Sequence, residues 1–467
     1  MSDFPILPTR RNFLYCSVAG ALPSWTINAG AVQANMPWSG PAVIRKVFLA
    51  SQTPSWPRPD IDLKQEMAEI EAQLGELARR HPGELTFIGG ELLREGTDIS
   101  AWAQSAGDAD VLLVFNVTSG LGPILEKVVS VGRPTVLFSR PYAGHSWSNF
   151  STFAQKGRKA EVLATSDFGD LDPYVDLFRT IHHLRSSKVL LISPPGNQRR
   201  GEPYTNQFGT AFGYPAYADL KAAFDAADVR QARKLAEEFT KAAIKVVEPS
   251  TDEIVASMRL YLGIQTLLER EKANAISIDC LGGFRRGDLP AYPCVSFSKL
   301  NDTGMYGVCE CDFHSTMTQL LVTSFSGKPG FVTDPVFDTS RNEVIHAHCV
   351  AATKMAGING PASPYIVRSH MEDNKGVSMQ VLMPVRDTVT VARFADATKM
   401  LVSTGEVTGN VDAPRGCRSK IRTRVKDARK FLEVYSSGLH RVLFYGDLVT
   451  PIERLGRLTG FQVVREG

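Results

Sequence analysis

Several features that would assign a function class directly are missing from this chain of 467 residues. It has neither a GxxxxGK[S/T] nor a GxSxG motif, which disfavours P-loop nucleotide hydrolysis and a serine-hydrolase site. The net charge is only +3, and no Lys/Arg-rich block carries interleaved aromatic residues, so nucleic-acid binding is disfavoured. Beyond the amino terminus no apolar run is long enough for a membrane helix, so we expect no membrane insertion.

Cysteine is scarce, and its spacing argues against structural zinc because no paired-cysteine motif occurs. The chain has seven cysteines. Those in apolar stretches are expected to be small buried hydrophobic side chains. Cys309 and Cys311 alternate along a strand-like run, so both are expected to point the same way. They flank Glu310, and a metal role for them stays open.

The amino terminus resembles a twin-arginine export signal. The motif TRRNFL at residues 9–14 precedes a modestly apolar run that Pro23 interrupts, and AGAVQA then supplies small residues suited to cleavage after Ala34. We therefore predict a signal peptide over residues 1–34 and export to the periplasm or an equivalent compartment. A chance arginine pair is the alternative.

Short apolar runs alternate with helical patterns over most of the chain, which predicts α/β domains with doubly wound parallel sheets. One such domain is expected over residues 40–185 and a second over 186–340, the second carrying the acidic residues of a metal site. From 341 to 467 the runs become β-rich with turn residues between them, which predicts a barrel-like C-terminal domain.

Four residues toward the end of the chain have the side chains of one divalent-metal site: Glu310, Asp334, His348 and His440. Each lies beside a predicted strand, and Asp334 stands where a short apolar strand is expected to stop at Pro335. Carboxylates and imidazoles from separate strand ends are how an α/β scaffold builds a rigid metal site. Two acids with two imidazoles favour Mn²⁺, with Co²⁺, Fe²⁺ or Mg²⁺ as alternatives.

The segments around these residues resemble the L-fucose/L-arabinose isomerase superfamily. The likeness covers roughly the second half of the chain, from PAYPCVSFSKLNDTGMYGVCECDFHSTMTQLL through SGKPGFVTDPVFD and VIHAHCVA to SSGLHRVLFYGD. It implies that Glu310 and Asp334 are metal-binding acids and that His440 is the family's late histidine ligand. His348 matches a further ligand of the arabinose branch. The resemblance also implies a homo-oligomer, trimer or hexamer, in which one subunit's first domain covers a neighbour's site.

Two polar segments are candidates for binding a sugar. SRPYAGHSW follows a predicted strand end, the usual place for ligand contacts in such sheets, and contains Arg140, His145 and Trp147. These residues are expected to act in trans if the oligomer forms. IVRSHMEDNKGVSMQ contains His370, in a segment suited to orienting sugar hydroxyls or a metal ligand. An ordinary surface loop is the alternative for each segment.

The resulting hypothesis is a metal-dependent aldose–ketose isomerase of an open-chain sugar that works through an enediol intermediate. By resemblance, Glu310 and Asp334 are both metal ligands and acid/base groups. The alternative is an exported sugar-binding or sensing protein that has the same scaffold but no turnover.

Overall fold

The computed structural model describes residues 40–196 and 200–466. The predicted signal peptide at 1–34 lies outside these residues. Within the described ranges, no helix is both long and apolar enough to cross a membrane.

The first part of the described chain forms a five-stranded parallel sheet in the order β2-β1-β3-β4-β5. Its strands are β1 (Ala42–Ala50), β2 (Leu85–Arg94), β3 (Val111–Asn116), β4 (Thr135–Ser139) and β5 (Ala160–Ala164). The helices in this part are α1 (Leu63–Arg80), α2 (Ser100–Ser105), α3 (Gly122–Val129), α4 (Phe150–Gln155) and α5 (Asp172–Ser186).

Both faces of this first sheet are covered, which explains its continuous apolar strands. On β3, Leu113 and Phe115 belong to one buried cluster, and Leu112 and Val114 belong to a second cluster on the opposite face. Alternate side chains of a strand point to opposite faces, so a strand buried on both sides needs apolar residues at every position.

A second parallel sheet follows, with the order β7-β6-β8-β9. Its strands are β6 (Lys188–Ile192), β7 (Ala211–Gly213), β8 (Ala275–Ile278) and β9 (Tyr306–Cys309). The helices in this part are α6 (Glu202–Phe208), α7 (Tyr217–Ala226), α8 (Val229–Ala242), α9 (Thr251–Glu271), α10 (Cys280–Arg286), α11 (Cys294–Asp302) and α12 (Phe313–Ser326).

The last third of the chain forms a seven-stranded sheet in the order β14-β17-β10-β11-β16-β15-β18, and an additional β14–β15 pairing closes six of these strands into a barrel. All pairings in it are antiparallel except β15 with β18. The strands from here on are β10 (Phe331–Asp338), β11 (Glu343–His348), β12 (Tyr365–Arg368), β13 (Ser378–Val381), β14 (Thr388–Asp396), β15 (Lys399–Asn410), β16 (Ser419–Arg424), β17 (Arg441–Tyr445) and β18 (Gln462–Arg465), with helices α13 (Ala428–Val434) and α14 (Val449–Thr459).

This architecture confirms the predicted fold class of two parallel α/β sheets followed by a barrel-like β-rich part. The barrel begins with β10 at Phe331. It therefore includes residues that the predicted boundary at 340 assigned to the central domain, Asp334 among them. The domain boundaries themselves stay predictions.

Polar contacts join the three parts where their apolar surfaces meet. Arg457 of α14 donates to Glu161 of β5 at 2.6 Å, and the Ser324 hydroxyl of α12 donates to Thr180 of α5 at 3.0 Å. One buried apolar cluster also extends from the first sheet through the second into the barrel. The metal-site candidates therefore lie on elements that are packed on a common core.

Candidate metal centre

The four predicted ligands come from one edge of the second sheet and from three neighbouring barrel strands. Glu310 directly follows β9, at the carboxyl edge of its parallel sheet. Asp334 lies on β10, His348 ends β11, and His440 directly precedes β17. Strand β10 lies between β17 and β11 in the barrel, so three sequence-distant side chains come together.

The strand around Asp334 differs from the prediction. The sequence suggested that it would stop at Pro335, whereas β10 continues to Asp338. Pro335 stands opposite His346 of β11 within the ladder. A proline cannot donate a hydrogen bond to a ladder, but it can occupy a strand position where no donor is required.

The distances place Glu310, His348 and His440 around a common space, and Asp334 adjoins them through His440. Nε2 of His440 lies 3.5 Å from Oε2 of Glu310 and 3.4 Å from Oδ1 of Asp334. Nε2 of His348 lies 3.7 Å from Oε1 of Glu310, and the two imidazole rings are 5.4 Å apart. Glu310, His348 and His440 each direct a ligand atom to within 4.8 Å of the others, as metal ligands would.

The burial of these groups is uneven, which matters for access. The imidazoles of His348 and His440 are 2% and 8% exposed, whereas the carboxylates of Glu310 and Asp334 are 34% and 32% exposed. The histidines therefore form the floor of the site, and the two acids line its open side. The two acids are therefore the more solvent-exposed groups of the site.

Two polar atoms in this group have no hydrogen-bond partner among the described residues, although they are buried. They are Oδ1 of Asp334 and Nε2 of His348. An unpaired buried polar atom is costly, and buried polar groups are otherwise almost always satisfied. A divalent cation bound by oxygen and nitrogen donors would satisfy both atoms, so these residues fit a metal of the Mn²⁺ type.

The protonation behaviour of the two acids reflects their surroundings. Burial raises the pKa of Asp334 even though His348 and His440 oppose the shift. The imidazole of His348 instead holds the pKa of Glu310 below its usual value, against the effect of burial. The pKa values of these two carboxylates therefore shift in opposite directions.

The backbone at Glu310 is unusual. Glu310 and Cys311 both adopt positive φ, at 61° and 51°, a left-handed conformation that non-glycine residues rarely adopt. Such residues cluster at functional sites, where the surrounding structure holds them in place. The strand also ends at Cys309, so Cys309 and Cys311 do not continue one alternating strand, contrary to the expectation from the sequence.

Asp312 is a site residue that the sequence did not reveal. Its Oδ2 accepts a hydrogen bond from Nδ1 of His440 at 2.8 Å and another from Arg393 at 2.5 Å. It also caps α12 by accepting from the backbone N–H of Ser315 at 3.0 Å. An aspartate ahead of a helix is a local signal for a helix cap and for no other role. The contact with His440, 128 residues later, had no local signal.

Asp312 sets the state of His440. Because the carboxylate accepts from Nδ1–H, it favours the neutral tautomer whose lone pair is on Nε2, the nitrogen that faces Glu310 and Asp334. Burial alone would raise the pKa of Asp312, but the hydrogen bond from His440 and the charge of Arg393 together lower it far below its ordinary value. Asp312 therefore stays ionised and keeps His440 in the tautomer that a metal needs.

The three predicted sugar-binding residues of the first part lie at the carboxyl edge of its sheet. Arg140 forms an ion pair with Glu66 and lines a cleft of about 800 Å³. The ring of His145 lies between those of Trp56 and Trp147, at centroid distances of 5.5 Å and 6.4 Å. Within the described ranges, the hydrogen bonds, ion pairs and ring contacts of these residues stay in the first part of the chain. Their substrate role stays a prediction.

His370 lies closer to the metal cluster. It is buried, its Nδ1 is 3.3 Å from Asp373, and its ring packs on Tyr292 at 5.1 Å. Arg418 anchors the loop by donating to the carbonyl of Ser369 at 2.8 Å. The next residue along the chain from Arg418, Ser419, stands opposite His348 in the barrel. The role of His370 in substrate binding also stays a prediction.

Comparison with known proteins gives low but extended similarity. No model of a known protein family matches the chain. The sulfoquinovose isomerases of Priestia aryabhattai and Priestia megaterium are each 24% identical over 207 residues, 43% of this chain and 45% of theirs. The sulfoquinovose isomerase of Alkalicoccus urumqiensis is 25% identical over 403 residues, 81% of this chain and 84% of the relative.

The aligned region thus spans less than half of the first two relatives and most of the third. All three relatives are isomerases of a sugar, in agreement with the coarse resemblance stated from the sequence. The narrower assignment to the L-fucose/L-arabinose isomerase superfamily stays a prediction.

Proposed function

We propose that the protein is a metal-dependent aldose–ketose isomerase that acts on an open-chain sugar. The observation that carries this proposal is the convergence of Glu310, Asp334, His348 and His440, with two buried donor atoms left unpaired. The similarity to sulfoquinovose isomerases supports the reaction class.

In this proposal the four residues hold one divalent cation, Mn²⁺ foremost, with Co²⁺, Fe²⁺ or Mg²⁺ as competitors. The bound cation would supply an electrophile that stabilises negative charge on the sugar oxygens during the reaction. The two imidazoles are buried and orient the donor set, and Asp312 holds His440 in place.

The two carboxylates are the proposed proton carriers. Glu310 and Asp334 line the open side of the site, where the C1 and C2 atoms of a sugar can reach them. One carboxylate removes the proton from C2 of the aldose while O1 gains a proton, which gives the enediol. A carboxylic acid then delivers a proton to C1 while the O2 hydroxyl loses its proton to a carboxylate, which gives the ketose. This requires each carboxylate to keep one oxygen free. The two oxygens of Glu310 face different imidazoles, Oε1 toward His348 and Oε2 toward His440, so they are not equivalent in the site.

The substrate proposal covers a small set of sugars. Sulfoquinovose is included because the relatives are named for it, and deoxy sugars, L-fucose and L-arabinose are included because of the resemblance stated from the sequence. The sugar is proposed to bind to Arg140, His145, Trp147 and His370. The three residues of the first part would act on a neighbouring subunit's site in a homo-oligomer.

Export by the twin-arginine route is proposed from residues 1–34 and is tested by cell fractionation.

The test is an isomerisation screen of these sugars with added Mn²⁺. We expect turnover by the native protein and a loss of about 10²–10⁴-fold in Glu310→Gln and in Asp334→Asn, the range for removing a general acid or base. Glu406→Gln is the control, because Glu406 is an exposed barrel residue paired with Arg424. Equal losses in the control variant would contradict a specific role for the two acids.

Solvent deuterium distinguishes proton transfer from a hydride shift. Metal analysis distinguishes an enzyme from a sugar-binding protein without turnover. Label from D₂O in the ketose supports proton transfer through an enediol, whereas an unlabelled product indicates a hydride shift. A stoichiometric transition metal in the purified protein supports the enzyme. A metal-free protein that binds sugar without turnover would support the sugar-sensing alternative and overturn the proposed function.

A further inference from the structure

Four buried thiols lie behind the metal cluster, and the proposed isomerase mechanism does not use them. They belong to Cys280, Cys294, Cys309 and Cys349, each no more than 6% exposed. They come from separate elements: Cys280 begins α10, Cys294 begins α11, Cys309 ends β9, and Cys349 follows β11. The fold therefore brings together thiols that are dispersed in the sequence.

Two of these thiols and one imidazole are close enough to bind one metal ion, and the thiol of Cys294 adjoins one of the two. Sγ of Cys294 lies 3.5 Å from Sγ of Cys349, and Sγ of Cys349 lies 3.5 Å from Nδ1 of His348. The ligand atoms of Cys309, His348 and Cys349 all lie within 4.8 Å of one another. Cys309 also interacts with the thiol of Cys280, which places all four thiols in one connected group.

The two measured separations agree with edges of a tetrahedral metal site. With Zn–S near 2.3 Å and Zn–N near 2.0 Å, an ideal tetrahedron has S···S edges of roughly 3.8 Å and N···S edges of roughly 3.6 Å. The observed S···S and N···S separations of 3.5 Å are within a few tenths of an ångström of these values. Three thiolates with one imidazole are also an established donor set for structural zinc.

We propose that Cys309, Cys349 and Nδ1 of His348 form a second metal site, for a thiophilic cation such as Zn²⁺. The thiol of Cys294, which adjoins that of Cys349, moves in as the fourth ligand. When the cation binds, each ligating thiol loses a proton to solvent. With both sites filled, the imidazole of His348 also loses its ring N–H proton to solvent and bridges the two cations as an imidazolate. His348 then directs Nδ1 to the sulfur site and Nε2 to the carboxylate site. The sequence argued against structural zinc because no paired-cysteine motif occurs, but these ligands come from three separate segments and need no such motif.

The proposed sulfur-bound cation would have a structural role. Cys294 and Cys309 belong to the second α/β part, whereas His348 and Cys349 belong to the barrel. A cation shared by them would cross-link the two parts immediately beside the carboxylates. The site is buried, so the cation would enter during folding.

The test uses cobalt as a spectroscopic probe. The protein is produced in cells grown with Co²⁺ in place of Zn²⁺, and its near-ultraviolet absorption is recorded, because sulfur-to-cobalt charge transfer reports only a thiolate site. We expect this absorption in the native protein and in Cys311→Ser, a matched control whose thiol lies outside the group. We expect it to be lost or strongly reduced in Cys349→Ser and Cys294→Ser.

A double variant separates this proposal from the proposed function. Glu310→Gln with Asp334→Asn removes the oxygen ligands of the carboxylate site, and we expect the cobalt–sulfur absorption to remain. Zinc analysis of the native protein from zinc-supplemented cells, which does not depend on any variant folding, should give about one tightly held zinc per chain. Native protein with neither zinc nor the cobalt absorption would overturn the proposal and leave Cys349 as a hydrogen-bond partner of His348. A disulfide between Cys294 and Cys349 in freshly purified protein would also overturn it.

Discussion

At the scale of single residues, the contact between Asp312 and His440 decides how the candidate metal centre can work. An imidazole offers a lone pair at only one nitrogen when neutral, and the partner of the other nitrogen selects which one. Here the carboxylate of Asp312 accepts from Nδ1, and Arg393 keeps that carboxylate charged. Nε2 is therefore available on the side of Glu310 and Asp334.

Removing the charge of Asp312 should weaken metal binding without removing a ligand. We expect Asp312→Asn to lower Mn²⁺ affinity by about 10- to 100-fold, the usual effect of losing a carboxylate behind a ligating histidine. The measurement is a Mn²⁺ titration of metal-stripped protein. Ser315→Ala is the control, since it removes one hydrogen bond to Asp312 and keeps the charge. Native-like affinity in Asp312→Asn would show that His440 does not depend on this carboxylate.

His314 provides a second test at the residue scale, this time of stability. Burial, assisted by the charge of Arg393, lowers the pKa of His314 from 6.5 to about 4, and its Nδ1 lies 2.7 Å from the hydroxyl of Tyr204. Between pH 6.5 and about 4 the unfolded chain therefore binds a proton that the folded chain does not. The free energy of unfolding should fall as the pH is lowered through this window, by at most about 3 kcal/mol from this group.

The corresponding variant is His314→Gln, which retains a polar group beside Tyr204 but does not titrate. We expect its free energy of unfolding to depend less steeply on pH between 6.5 and 4 than that of the native protein. Urea unfolding at a series of pH values, with the same metal concentration for both proteins, gives the two slopes. Identical slopes would mean that His314 takes up its proton equally in both states.

At the scale of elements, the strand order β17-β10-β11 brings the histidines to Asp334. Arg441 stands opposite Thr333 in the β10–β17 ladder, so His440 lies one residue beyond that pair and faces Asp334. Strand β17 is held from the other side by a buried ion pair. The guanidinium of Arg441 donates two hydrogen bonds to Glu466, at 2.9 Å and 2.7 Å, with both side chains at most 2% exposed.

Breaking this pair should be costly because Arg441 would remain charged and buried. We expect Glu466→Gln to lower the free energy of unfolding by about 3–5 kcal/mol. The control is Glu453→Gln, which breaks the exposed pair between Glu453 and Arg465 and should cost less than about 1 kcal/mol. Urea unfolding measures both. Equal small losses would mean that the buried pair contributes no more than a surface pair.

At the scale of the whole molecule, the metal cluster and the predicted sugar-binding residues of the first part lie in separate places within one chain. Trp147 is about half exposed, and Tyr142 and Trp56 beside it are also exposed. In the proposed homo-oligomer, this surface of one subunit covers the metal cluster of the neighbouring subunit. That contact would bring the two sets of residues together.

Complementation tests this arrangement. Trp147→Ala and Glu310→Gln should each lose activity when expressed alone. If sites are shared between subunits, co-expression should restore activity, because mixed oligomers contain some sites with both native residues. The control is co-expression of Glu310→Gln with Asp334→Asn, which affects one subunit's contribution only and should restore none. Co-expressed Trp147→Ala and Glu310→Gln without recovered activity would place the complete site within one chain.

Much of the fold was readable from local patterns. The alternation of short apolar runs with helical patterns predicted the α/β sheets, and the apolar runs VIRKVFLA and KVLLISP coincide with β1 and β6. Helix α12 begins directly after Asp312 and ends directly before Gly327, two residue types that commonly bound helices. Strand β5, with exposed and half-buried positions, had no comparable apolar signal. The pattern of apolar residues predicts a strand or helix only where that element is buried along its whole length.

The candidate ligands were readable for a different reason. The sequence by itself determined that carboxylates and imidazoles stand beside strand ends, and the resemblance selected Glu310, Asp334, His348 and His440 among them. It could not reveal that Asp312 holds His440 or that Cys294 and Cys349 meet beside His348. Those contacts join residues between 55 and 128 positions apart. Only the tertiary structure decided them, because the order in which strands pair brings such residues together and no local pattern of side chains encodes that order.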